Sequence, residues 1–213
     1  MDNILNNTLY ILEGSSITIK LYIVTFIFSI PLGVLCALMK ISKSKMLNGL
    51  LEVYTWVFRG TPLLLQLFFI YFGLPVLGVN LTRFQAAAIT FVLNYGAYFT
   101  EIFRGGIQSI DKGQYEAAKA LGMNYYQTMK RIILPQAAKR VLPATSNEAI
   151  TLIKDTALVA AIGLGDILRA SKELVTRDFS VVPFIIAAAI YLALTWIIVM
   201  VFKKLEKKLA IYA

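Results

Sequence analysis

Histidine is absent from the 213 residues, and cysteine occurs once, as Cys36 inside an apolar run. The first absence excludes a His-based triad, a His-bound zinc and a histidine proton relay. The second excludes a disulfide framework. No glycine is followed by lysine, so there is no GxxxxGK[ST] loop to cradle a nucleotide phosphate. Gly163-Leu164-Gly165 is no dinucleotide fingerprint either, because no strand precedes it and the spacing fails. With no nucleophile–base pair and no metal-ligand set, the sequence offers neither a catalytic nor a metal site. Charge is scarce as well: charged residues make up 15 %, with 12 acidic against 21 basic.

What fills the chain is apolar. Hydrophobic residues make up 58 % and the mean hydropathy is +0.71, far from the balance of a soluble domain. A membrane helix needs about 20 apolar residues. Five runs qualify, at 16–39, 54–75, 84–103, 140–162 and 181–202. The expected fold is therefore all-α: one polytopic membrane domain over 1–213 with about five transmembrane helices. Residues 1–15 are too polar for a cleavable signal peptide, and 7–14 read as a short interfacial helix.

A net charge of +9 could suggest nucleic acid, but its distribution points to a membrane. One set of loops (40–53, 104–139, 203–213) holds Lys40, Lys43, Lys45, Arg104, Lys112, Lys119, Lys130, Arg131, Lys139, Lys203, Lys204, Lys207 and Lys208. The other side holds only Arg83, Arg169, Lys172 and Arg177. Basic residues accumulate in cytoplasmic loops. The expectation is an N-terminus outside, the 111–135 loop inside and a cytoplasmic C-terminus. The segment 163–180 then lies outside as a mixed-charge amphipathic helix.

The 111–135 loop reads as two short helices. Asp111 and Gln114, then Asn124 and Gln127, have the spacing of reciprocal N-terminal caps. Gly122 suits a left-handed helix stop. Pro135 should close the second helix, because the residue before a proline is pushed out of helical geometry. Ala117, Ala118 and Ala120 leave the first helix slim enough for another surface to approach. An ordinary loop helix is the alternative.

Glu116-Ala117-Ala118, Gly122, Ile132 and Leu134-Pro135 are spaced as in the EAA loop of ABC importer membrane subunits, which the segment resembles without departure. Phe58-Arg59-Gly60-Thr61-Pro62, Glu101-Ile102-Phe103-Arg104-Gly105-Gly106 and Lys154-Asp155-Thr156 resemble the polar amino-acid branch. Together these segments cover roughly 50–165. The resemblance implies a type I permease fold in a bacterial cytoplasmic membrane. It implies a second permease, either another copy in a homodimer or a similar chain in a heterodimer, a separate ATPase that binds ATP, and an external solute-binding protein. Glu116, Ala117, Ala118, Leu121 and Gly122 would form the coupling helix that docks on the ATPase. The chain itself would need no cofactor.

Within the spans, polar residues mark candidate pathway positions. Ionisable groups in a membrane helix must line a cavity or find partners. Glu148, Thr151 and Asp155 share one helical face, adjoined by Asn147 and Lys154. Asp155 is the leading candidate for a substrate ammonium group, with Glu148, Thr151, Thr156 and Asn94 beside it. The alternative is a buried charge network of Arg59, Glu148, Lys154 and Asp155, with Asn94 a helix–helix contact. Arg59 interrupts an apolar stretch just before Gly60-Thr61-Pro62 and, with Lys154, reads either as a gate element or as a structural kink. Glu101 and Arg104, three apart, should pair. The carboxylates favour a basic amino acid (arginine, lysine or histidine), with glutamine or glutamate as the alternative. A secondary transporter without an ATPase would leave the EAA spacing unexplained.

Overall fold

The computed structural model describes residues 2–42 and 44–210, so Lys43 and the last three residues lie outside it. The described residues form helices and no strand. The chain runs α1 (Asp2–Lys40), α2 (Lys45–Gly60), α3 (Leu63–Phe68, wound on to Leu77 as π and 3-10 turns), α4 (Arg83–Gln108), α5 (Lys112–Ala120), α6 (Tyr125–Thr128), α7 (Leu134–Asp155), α8 (Ile167–Asp178) and α9 (Val182–Ala210).

The helix α4 is the axle. Ala87, Phe91, Tyr95 and Phe99 are buried along it and pack with Leu21 of α1, Leu67 of α3 and Leu152 of α7. Being enclosed by protein, α4 tolerates Asn94 and several threonines that lipid would not. Among the described residues, α1 and α9 alone are long and apolar enough to cross a membrane by composition, with α2 and α3 together as a third, broken span. The helices α4 and α7 are of spanning length but more polar, as helices shielded by neighbours can be. By contrast, only 6 % of the most apolar stretch of α9 is buried, so this helix offers its sides to lipid or to another chain.

The α1–α4 crossing depends on close backbone approach. A Cβ on Gly33 would lie 2.5 Å from the Cβ of Phe99 and 3.0 Å from its carbonyl carbon. Small residues at such crossings let membrane helices pack through their backbones. Gly33→Leu should therefore lower stability by about 1–3 kcal/mol, the usual cost of overpacking. Thermal unfolding in detergent checks this, and an unchanged midpoint would refute the tight crossing.

Two expectations are corrected, at 7–14 and at Pro135. The interfacial helix expected at 7–14 is the first part of α1, which runs unbroken to Lys40. It continues because α8 packs on it: Ile11 is fully buried against Ile167, Ala170 and Leu174. The Tyr10 hydroxyl donates to Glu173 at 2.6 Å, and Arg169 pairs with the same carboxylate at 2.8 Å. Together they hold the Glu173 carboxyl below its usual range.

The span expected at 54–75 is broken where Gly60-Thr61-Pro62 interrupts the apolar stretch, as the kink reading has it. Its halves meet at 105° around Gly60-Thr61-Pro62. The proline leaves backbone carbonyls without helical partners. A side-chain amide replaces them: Gln66 Nε2 donates to the carbonyls of Phe58 (2.9 Å) and Thr61 (3.1 Å). Irregular backbone at membrane depth requires such partners.

Pro135 does not close a helix. The chain winds on from Tyr125 to Asp155 through a π-turn at Met129–Ile133. That wider turn accommodates a residue with no N–H to give, as π-bulges do. The fourth span thus begins well before 140, and Thr156–Ile162 continues it as a 3-10 turn.

Candidate functional site

Two places draw the polar residues together. The first lies where α7 faces α4 and the end of α2. Tyr95, 1 % exposed, donates its hydroxyl to Asp155 Oδ2 at 2.7 Å. The Oδ1 atom of Asp155 accepts no hydrogen bond among the described residues. Glu148, two turns earlier on the same face of α7, lies within electrostatic reach of Asp155 and Arg59 and is only partly buried. Arg59 stands over the Tyr98 ring at 5.4 Å, a cation–π arrangement, and Tyr98 lies beside Tyr95 with ring centres 6.4 Å apart. The result is a half-open face with two carboxylates, two tyrosines and one guanidinium. Such a face offers acceptors to a cation and ring surface to the carbon chain behind it.

The expected site residues divide here. Glu148 and Asp155 share that face, and Thr151 is exposed between them with its hydroxyl on the Asn147 carbonyl. Two others face away. Thr156 is fully buried, and its hydroxyl donates to Ile153 O at 2.7 Å. Asn94 is 4 % exposed and donates to Phe58 O (2.8 Å) and Gln66 Oε1 (2.9 Å). Its amide braces the broken span, the helix–helix alternative, and neither side chain is open to a solute in this arrangement. No ion pair joins Arg59, Glu148, Lys154 and Asp155 among the described residues, and Lys154 is exposed.

The second place is the loop after α4. Asp111 caps α5 through Gly113 N at 2.6 Å, but Gln114 does not complete the reciprocal pair. It accepts instead from Gln136 Nε2 at 3.1 Å, which ties α5 to α7. Gly122 adopts φ +74° and ends the helix: its N–H reaches Lys119 O, and that of Met123 reaches Ala118 O. This is the paired C-terminal bonding that a glycine permits. Asn124 and Gln127 form the full capping box. Ile107, Ile110, Met129 and Ile133 make a buried cluster, with Tyr115 of α5 packed against it. Glu116, Ala117, Leu121 and Gly122 remain exposed, Leu121 at 79 %. Ala118 is fully buried, which removes it from the exposed face expected of it. It faces inward, and its carbonyl serves the Gly122 turn.

Residues 29–211 match the family described as binding-protein-dependent transport system inner membrane component. The chain belongs to that family. It is a multi-pass membrane permease. The arginine transport system permease ArtQ of Bacillus subtilis is 46 % identical over 202 residues, 94 % of this chain and 92 % of the relative. A putative glutamine transport permease, GlnP of Rickettsia bellii, is 43 % identical over 95 % of this chain and 94 % of its own. A crystal structure of an amino acid ABC transporter with histidines superposes with a TM-score of 0.90 at 37 % identity, covering 97 % of both chains. This permease is thus of the amino-acid ABC transport type.

The structure adds residues of the permease that sequence reading passed over. Tyr95 follows Asn94 directly, yet only the fold shows that it holds Asp155. Gln66 is the lone amide in the apolar run 63–70, a signal that could have marked it. Lys40 joins the expected Glu101–Arg104 pair: its ammonium lies 2.6 Å from Glu101 and 3.0 Å from the Thr55 hydroxyl.

Proposed function

We propose that this permease imports a basic amino acid, with Asp155 and Glu148 receiving its cationic group and Tyr95 fixing the Asp155 carboxylate. The observation that carries this reading is the unengaged Asp155 Oδ1 on the same partly open face as Glu148. An ionised acceptor next to a cation makes the stronger kind of hydrogen bond. Arg59 and Tyr98, at the rim, are placed to contact the opposite end of the substrate. The arginine-transport relative at 46 % identity supports this choice. The glutamine-transport relative at 43 % favours the second reading, in which the same face binds a neutral amide.

In this proposal α5 lies on the cytoplasmic side and the N-terminus outside, as the basic loops favour. Two copies of the permease enclose the path. A separate ATPase grips Glu116, Ala117, Leu121 and Gly122, and a solute-binding protein delivers substrate at the α8 side. The ATPase supplies ATP chemistry, and this chain supplies a two-state bundle whose equilibrium the grip on α5 biases. Because α6, the π-turn and α7 form one continuous rod, a displacement of α5 reaches Glu148 and Asp155 without a hinge.

Reconstitution in liposomes tests the proposal. Arginine should accelerate ATP hydrolysis and accumulate inside, and glutamine should not compete. Ala117→Trp, on the exposed face of α5, should cut coupled transport by at least about fivefold, since a misfit ring costs about 1–3 kcal/mol at a packed contact. Gradient-driven uptake by this chain without an ATPase would overturn the coupling. Preferential uptake of glutamine would overturn the specificity.

A further inference from the structure

Two hollows on the permease surface form one groove. The first, about 270 Å³, is apolar and lies between α1, α4 and α7, lined by Val34, Phe103, Leu134, Ala138 and Val141. The second, about 410 Å³, is lined by Leu38, Ser42, Tyr125, Tyr126 and Lys130, and again by Leu134. Leu134 joins them. Along α1 the lining residues Val34 and Leu38 are four apart on one helical stripe, and Ser42 follows just past the helix end. The groove therefore runs from a wholly apolar end to a polar end, where the apolar run of α1 finishes at Lys40.

The polar end has its own chemistry. The Lys130 ammonium stands 5.7 Å from the Tyr126 ring centre, and both tyrosines are 68 % exposed. No acidic residue lines either hollow. Exposed tyrosines beside a lysine at the end of an apolar helix are the composition found at headgroup level. An apolar slot that opens onto a cationic, aromatic mouth matches one kind of ligand, an amphiphile with an anionic head. A free phosphate would use the lysine but leave the slot empty. A protein surface docked on the mouth would not enter between α1 and α7.

We infer that this groove binds an anionic phospholipid from the leaflet on the α5 side, with its phosphate at Lys130 and the tyrosines and an acyl chain beside Val34, Ala138 and Val141. The lipid lies against the π-turn that joins α6 to α7, so its presence or absence loads the same rod that carries Glu148 and Asp155. The inference does not depend on which amino acid is carried.

The test is lipid retention by the intact transporter complex, purified in detergent and read by native mass spectrometry after titration with phosphatidylglycerol or phosphatidylcholine. A single phosphatidylglycerol per permease chain should remain while phosphatidylcholine washes away. Lys130→Gln should weaken retention about fivefold, the worth of one basic side chain at an anionic surface. Ala138→Trp, which fills the slot from an exposed position, should weaken it at least as much. Excess inorganic phosphate should displace nothing. Equal retention of both lipids, unchanged retention in Lys130→Gln, or displacement by phosphate would each overturn the inference. So would photocrosslinks from Tyr126 that reach only the ATPase. Should Ala138→Trp fail to assemble, the surface substitution at Lys130 decides alone.

Discussion

Asp155→Asn should weaken binding of a basic amino acid on the order of a hundredfold, about 3 kcal/mol, while the transporter still assembles. The carboxylate would lose its charge, and a hydrogen bond to a charged partner contributes about 1.5–3 kcal/mol. The Tyr95 hydroxyl keeps an acceptor, the amide oxygen, at the position of Oδ2. Any loss therefore reports on the substrate rather than on a broken core. Tyr95→Phe provides the contrast. It leaves the charge but frees the carboxylate to rotate, and it should cost about tenfold. Isothermal titration or uptake with radiolabelled arginine separates the two. Unaltered affinity in Asp155→Asn would remove this residue from the substrate site, and Glu148 would then have to stand alone.

Glu101→Gln should destabilise the permease by about 1–3 kcal/mol, less than breaking a fully buried ion pair from one side because this one is part-buried. Glu101 receives Lys40 from the end of α1 and Arg104 from its own helix, both at 2.6 Å. Its side chain is 14 % exposed and that of Lys40 is 10 %, so water replaces the lost partner only in part. Lys40 also donates to Thr55, which ties α2 into the same knot. Removing the carboxylate leaves two cations side by side and loosens three helices at once. The double variant Lys40→Met with Glu101→Leu should recover most of the loss, because apolar packing can replace a buried pair. Thermal unfolding midpoints in detergent decide it. A midpoint for Glu101→Gln equal to that of the parent chain would show that the knot carries no stability.

Much of this architecture was legible from residue pattern. Long apolar runs announced a helical membrane bundle, and local capping signals placed the turn at Gly122 and the start at Asn124 correctly. Those features depend on neighbours within four residues, which a sequence displays directly. The errors arose where distant partners override local rules. The proline at 135 looked terminal, yet a widened turn absorbs it. The start of α1 looked interfacial, yet α8, some 160 residues later, extends it. Asn94 had the right depth for a solute and proved to be occupied by the carbonyls of a broken span. Ala118 belongs to the motif but faces inward. Whether a polar side chain meets cargo or backbone depends on which helix lies opposite, and residue spacing along one helix does not contain that information.

A last consequence follows from the winding at Met129–Ile133. A π-turn stores one residue more than ordinary α winding. If that spare residue is taken up, everything beyond it corkscrews by about 100° and slides by about 1.5 Å. The acidic stripe of Glu148 and Asp155 would then turn toward a different neighbour while the rod itself stays straight.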